Sequence, residues 1–153
     1  MLRCFIRVLI VVSVLLVFVS LTMLSAGANE TMQRRHEHVA KIAENQLGDP
    51  YSWGAAGPDA FDCSGLAMYS WNVYRGIPHN AAAQFAALPP IAEEFIMQGD
   101  LVYFDFDGGD IDHVGVLVNP HRMIHASDQV EADDLSGVYG NSSIVGYRRP
   151  DRH

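Results

Sequence analysis

Cysteine is scarce in this 153-residue chain, which has two, Cys4 and Cys63. Cys4 falls in an N-terminal segment expected to be removed, so one thiol remains and an internal disulfide is excluded. Basic residues are scarce as well, 10 against 18 acidic, for a formal charge of −8. That balance argues against a nucleic-acid binder, whose affinity comes mainly from neutralising phosphates. Repeats and low-complexity tracts are absent. Long hydrophobic runs are absent too, except at the start of the chain.

That one run has the parts of a secretory signal. Met1–Arg7 carries Arg3 and Arg7 and no acid, and Val8–Leu24 is apolar apart from Ser13, Ser20 and Thr22. Ala26-Gly27-Ala28 then offers the small-x-small pattern of a signal-peptidase site. Residues 1–28 are therefore expected to be a signal peptide and 29–150 one domain. Cleavage after Ala28 leaves about 125 of the 153 residues, enough for one hydrophobic core and not for two. Loss of Arg3 and Arg7 takes 10 basic residues to 8 against the same 18 acids, and the charge from −8 to −10. The alternative is an uncleaved membrane anchor, since Val8–Ala28, about 21 residues, is long enough to span a bilayer. No cysteine follows the run, which argues against a lipid-anchored product. The expected location is secreted or periplasmic, with membrane contact only through an uncleaved N-terminal segment.

Hydrophobic periodicity divides the rest. Asn29–Leu47 reads as a helix, with Val39, Ile42, Ala43 and Leu47 on one face and Gly48 and Pro50 ending it. A Gly- and Pro-rich loop follows to Phe61. Asp62 can cap a second helix from about Cys63 to Tyr74, and Asn80 a short third helix to Ala87. Then the period changes: Leu101–Phe104, His113–Val118, Arg122–Ala126 and Ser143–Arg148 are β-type runs separated by turn residues. Helices first and a strand meander later predict an α+β fold, helices packed on a small antiparallel sheet. Pro150–His153 reads as a frayed tail.

Cys63 carries the chemistry. At the first turn of the second helix, unpaired N–H groups and the helix dipole favour the nucleophilic thiolate, while Asp62 opposes it. A cysteine nucleophile needs a base, and the base an orienting group. Of seven histidines, His36 and His38 read as solvated, His79 and His121 lie in expected turns and His153 ends the chain. That leaves His113 and His125, both in strand patterns. A three-residue Asn119-Pro120-His121 loop would pair Val118 with Arg122, set Gly115 opposite His125, and put both imidazoles on one face. A slip of one residue would separate them.

Five blocks now stand in order: Tyr51-Ser52-Trp53-Gly54, Phe61-Asp62-Cys63-Ser64-Gly65-Leu66, Gln98-Gly99-Asp100-Leu101-Val102-Tyr103-Phe104, His113-Val114-Gly115-Val116 and Ile124-His125-Ala126-Ser127. Together they resemble the NlpC-type cell-wall peptidases, papain-like cysteine enzymes, over about Ala40 to Tyr147. The resemblance implies Cys63 as nucleophile, His113 as general base and His125 as the polar residue that orients it. Tyr51 matches the tyrosine that helps stabilise the oxyanion, and Asp62, Ser64 and Trp53 the substrate-contacting positions. The implied reaction is cleavage of γ-D-glutamyl–diamino acid bonds in peptidoglycan stem peptides, with the free amine of L-alanine held by Asp62. No cofactor or metal is implied. Where many relatives read Pro-Arg-Thr/Ser this chain has Pro78-His79-Asn80, so a basic group is missing there, while Gln84 stands at its expected place. No separate wall-binding module is expected beside the domain.

Other chemistries remain open on the same residues. A papain-like amidase or acyltransferase could act on a non-wall substrate. Cys63, His113 and His125 could instead form a zinc site of one thiolate and two imidazoles. A non-catalytic module that binds muropeptides is the reading from outside enzymology.

Overall fold

The computed structural model describes residues 2–136 and 143–151. The chain divides into two compact units, Met1–Arg34 and Arg35–His153. The first consists of helix. Helix α1, Leu2–Glu44, begins there and ends in the second unit, so no helix start occurs at Asn29. No proline interrupts this stretch, and one internal glycine, Gly27, costs only about 1 kcal/mol relative to alanine. Leu15, Leu16, Val17 and Phe18 are exposed. Among the described residues, no helix is long and apolar enough to cross a membrane.

The second unit is built on one six-stranded sheet. Its strands are β1 (Pro90–Ile91), β2 (Leu101–Phe104), β3 (His113–Asn119), β4 (Arg122–Ala126), β5 (Val130–Asp134) and β6 (Ile144–Arg148). Their order is β1-β6-β2-β3-β4-β5, with every neighbouring pair antiparallel. Central β2 is buried on both faces. Leu101 and Tyr103 join the core beneath helix α1 and the helix that begins at Cys63, with Val39, Ala43, Leu66 and Trp71. Val102 and Phe104 join a smaller core on the other face, with Leu117, Met123 and Tyr147. Each large apolar side chain so buried contributes about 1.5–3 kcal/mol.

Strand β5 is not expected from the sequence. Val130-Glu131-Ala132-Asp133-Asp134 has three acids in five positions, and aspartate is a poor strand former. Position at the sheet edge makes it tolerable.

Helix α2 spans Cys63–Trp71 and helix α3 Ala81–Ala87. Both have the expected caps: the Asp62 carboxylate accepts from the Gly65 N–H at 2.6 Å, and the Asn80 side chain from the Ala83 N–H at 2.8 Å. Gly65 is required by close approach, since a Cβ there would meet the Ala55 carbonyl oxygen at 2.1 Å.

Three expectations need correction. The buried stripe of α1 is His36, Val39, Ala40 and Ala43, the i, i+3, i+4, i+7 face. Leu47 lies past the helix end and is exposed, while His36 is fully buried rather than solvated. The C-terminal segment is pinned rather than frayed as far as Asp151. Arg149 donates twice to Asp100, at 2.8 and 2.7 Å, and Asp151 pairs with the His36 Nε2 at 2.9 Å. The β3–β4 loop also differs. Asn119 pairs with Arg122 around Pro120-His121, and the register shifts between Leu117 and Asn119. That shift leaves Val116 opposite Ile124, so Gly115 still faces His125. Gly115 makes room for Met123, whose Sδ a Cβ would meet at 2.5 Å.

Candidate active site

The start of α2 and the Pro50–Phe61 loop assemble the first half of the site. Ser52 N–H donates to the Phe61 carbonyl at 3.0 Å and Asp62 N–H to the Ala55 carbonyl at 2.9 Å. These bonds lay the loop along the cap of α2 and bring Tyr51 and Cys63 onto the same core. Burial, then Cys63 and Asp62, push the Tyr51 phenol up, so it stays a hydrogen-bond donor.

Asp62 is buried and surrounded by donors. Its Oδ1 accepts from the Gly65 N–H and from the Ser64 hydroxyl at 3.0 Å. Its Oδ2 accepts from the Gly54 N–H at 2.9 Å, and the His79 Nε2 stands 3.0 Å from both oxygens. Burial opposes the charge, but the Gly65 N–H, His79 and Ser64 outweigh it and hold the carboxyl below its ordinary value. His79 thus occupies the place where a basic residue seemed to be missing. A local turn pattern carries no sign of this contact across 17 residues of chain. Gln84 ties the same region together. Its amide donates to the Ser64 carbonyl at 2.9 Å and the Pro78 carbonyl at 2.6 Å, and its oxygen accepts from Tyr103 at 3.3 Å.

Cys63 opens onto a cleft of about 400 Å³ that is also lined by Trp53, Asp62, Ser64, His79, Ile111 and Asp112. Trp53 is 88% exposed at this cleft, so it is no part of the core. Tyr51, His113 and His125 are not among the lining residues. Cys63 packs on the same core cluster as Val114, and α2 lies against β3, where Val114 follows His113. Burial pushes the thiol up to about 11; the Val114, Ser64 and Cys63 N–H groups pull the other way, and Asp62 adds to the rise. Desolvation outweighs the helix start here and favours the thiol, against the pull toward a thiolate that a helix start supplies.

Strands β3 and β4 supply the second half. The His113 Nε2 and His125 Nδ1 are 2.9 Å apart, with the rings edge to face at 5.0 Å between centroids. This is the same-face pairing that the register argument requires. Burial, then His125, bring His113 down to about 3. His125 is fully buried and is lowered by burial, partly offset by Asp133 and Glu131. Its Nε2 stands 3.2 Å from the Asp133 Oδ2. Asp133 escapes sequence reasoning because β5 does.

Burial thus favours the neutral forms of the thiol and of both imidazoles. Among the described residues, His125, Glu131 and Asp133 form the group whose ligand atoms converge closely enough for an ion. Among the same residues, Cys63, His113 and His125 do not form such a group.

Comparison with known proteins places this arrangement. The NlpC/P60 family model matches residues 48–149. The chain is similar to a probable endopeptidase p60 of Listeria innocua, 43% identical over 115 residues, covering 72% of this chain and 24% of that protein. It is similar to the bifunctional muramidase/DL-endopeptidase CwlT of Bacillus subtilis, 37% identical over 120 residues, 74% of this chain and 36% of that one. A solved NLP/P60-family structure from Staphylococcus aureus, described as similar to lipoprotein, superposes with a TM-score of 0.70 at 30% identity. It covers 78% of this chain and 42% of that one. The chain thus spans between 24% and 36% of the length of these two curated relatives. The α+β, papain-like architecture is the one expected from the residues, and the chain belongs to the NlpC/P60 family.

Proposed function

We propose that this chain is an exported cysteine endopeptidase that hydrolyses γ-D-glutamyl–diamino acid bonds in peptidoglycan stem peptides. The observation that carries the reading is Cys63 at a helix start in an open cleft, against the strand that bears the His113–His125 pair. Relatives named probable endopeptidase and DL-endopeptidase support the substrate class.

The chemistry follows from the resting charges. His113 takes the Cys63 proton as sulfur attacks the scissile carbonyl, so the ion pair forms during attack and is not stored beforehand. The developing oxyanion is met by the Tyr51 hydroxyl and the Cys63 N–H, which has no partner within the helix. His113 then gives its proton to the leaving amine, and water releases the acyl group from sulfur. Asp62, kept ionised by its four donors, and Asp112 give the cleft a negative lining. A substrate ammonium fits there, and the amine of a terminal L-alanine supplies one. An anionic domain without strong attraction for anionic wall polymers gains from such a handle. Export rests on the N-terminal segment, with residues 1–28 as the signal and 29–150 as the working domain.

The test is digestion of L-Ala-γ-D-Glu-meso-diaminopimelate by the full chain, with products weighed. The reading expects L-Ala-D-Glu and free diaminopimelate, and strong inhibition by N-acetylation of the substrate. Cleavage elsewhere, or no cleavage, would overturn the proposed bond. Equal cleavage of the acetylated peptide would remove the role of Asp62.

A further inference from the structure

We infer that Asp133 is a positioning residue that fixes which nitrogen of His113 receives the Cys63 proton, acting through His125. The inference deepens the proposed function and rests on its assignment of Cys63 and His113 as the reacting pair.

The register of β4 and β5 creates the contact. His125 lies opposite Glu131, and Met123 opposite Asp133, so Glu131 and Asp133 share the face of His125 as its direct and diagonal neighbours. Glu131 accepts a short hydrogen bond from the Ser127 hydroxyl. Asp133 is the acid on the imidazole, with its Oδ2 3.2 Å from the His125 Nε2. Among the described residues, the groups facing His125 include Asp133 and Glu131 from β5 and His113 from β3.

An ionised carboxylate can only accept. His125 is held uncharged by burial, so it has one N–H, and Asp133 draws that hydrogen to Nε2. The Nδ1 of His125 is then an acceptor, and the group 2.9 Å from it, the His113 Nε2, must be the donor. With its hydrogen on Nε2, His113 has its lone pair on Nδ1. One carboxylate at the sheet edge therefore orders the hydrogens of two buried rings in sequence. When His113 becomes an imidazolium during attack, the same chain points an acceptor, and behind it a negative charge, at the new positive charge. Without Asp133, His125 can carry its hydrogen on Nδ1 instead. The His113 Nε2 must then accept, and its lone pair leaves Nδ1. Every contact of the fold can survive that change while the base points the wrong way.

The test uses the full chain with 15N-labelled histidine, in wild type and in Asp133→Ala, Asp133→Glu and Asp134→Ala. Asp134 is the exposed neighbour on the same strand and serves as the control. The nitrogen shifts of His125 should show the hydrogen on Nε2 in wild type and a mixture of tautomers in Asp133→Ala, with partial return in Asp133→Glu. Turnover should fall about tenfold to a hundredfold in Asp133→Ala with KM nearly unchanged. The loss is smaller than for a fully buried acid because Asp133 is 28% exposed. Asp134→Ala should match wild type in both. An unchanged His125 tautomer in Asp133→Ala, or unchanged turnover beside a changed tautomer, would overturn the inference. The tautomer needs no substrate and can be read equally in Cys63→Ala, so failure to cleave stem peptides would refute the proposed bond without touching this result.

Discussion

Two buried histidine arrays stand in this molecule, and they resemble each other closely. His36 and His125 are both fully buried. Each has a carboxylate within about 3 Å, Asp151 at 2.9 Å and Asp133 at 3.2 Å. Each ring meets another edge to face, Trp71 in one case and His113 in the other. The difference lies in the second nitrogen. On His36 it goes to the Gln98 carbonyl at 3.0 Å, so both nitrogens are tied to oxygens of the fold. On His125 it goes to another imidazole, whose strand packs against the helix that begins at Cys63. Burial with an acid partner marks a fastener as readily as a catalyst. What separates them is where the second nitrogen leads.

The comparison can be broken by exchanging the two kinds of effect. His113→Ala should lower turnover by about two to four orders of magnitude, since it removes the proton carrier, and leave the melting temperature within a few degrees. His125→Gln should cost less, because an amide can still accept a hydrogen bond. Steady-state kinetics on the stem peptide checks both, and equal losses would contradict the division of roles.

Near the fastener the effects should reverse. Arg149→Met leaves the fully buried Asp100 without its arginine and should destabilise the fold by about 3–5 kcal/mol, with turnover per folded molecule unchanged. Urea unfolding followed alongside activity measures this. Loss of turnover without loss of stability would put the fastener in the site.

The neutral resting pair makes a third prediction. Alkylation of Cys63 by iodoacetamide should be slow at pH 7 and rise about tenfold per pH unit without a plateau below pH 9, because the thiol lies near 11. The acid limb of kcat/KM should lie well below pH 6.5, because burial depresses His113 and its base form persists into acid. An acid limb at 6.5 with fast alkylation at pH 7 would indicate a stored ion pair.

The smallest effect belongs to Asp151. Burial would raise its carboxyl, but His36 outweighs that and lowers it in the fold. A carboxyl lowered on folding adds stability above its unfolded value near 3.8 and loses that contribution as pH falls through the lower, folded value. Asp151→Asn should therefore cost about 1 kcal/mol or less at pH 7, and the difference from wild type should vanish in strong acid. A constant difference down to pH 2 would show that the contact acts through packing and not charge.

The parts of this molecule that are legible in the sequence are those set by short-range rules. Asp62 before Cys63 is a cap because three residues settle a cap, and strands β2, β3, β4 and β6 show in β-type runs. The shared face of His113 and His125 follows from hairpin register even though the loop is one residue shorter than its turn residues suggest. The illegible parts are long-range or offset by burial. His79 reaches Asp62 across a loop, Arg149 reaches Asp100 across 49 positions, and β5 is polar enough to pass for a loop. His36 reads as solvated only while the stripe of α1 is phased on Ile42 and Leu47, and not on His36 and Ala40. The pull toward a thiolate at a helix start is opposed by desolvation, which has no signature in local sequence.

In the proposed reaction Cys63 attacks the substrate and carries its acyl half. Quenching the reaction with the stem peptide in acid, then weighing the intact protein and its Cys63 peptide, reads this step. A mass gain equal to the L-Ala-D-Glu acyl group is expected on Cys63, absent in Cys63→Ala, which should also lack turnover. Turnover that survives Cys63→Ala, with no adduct on the wild-type residue, would contradict it.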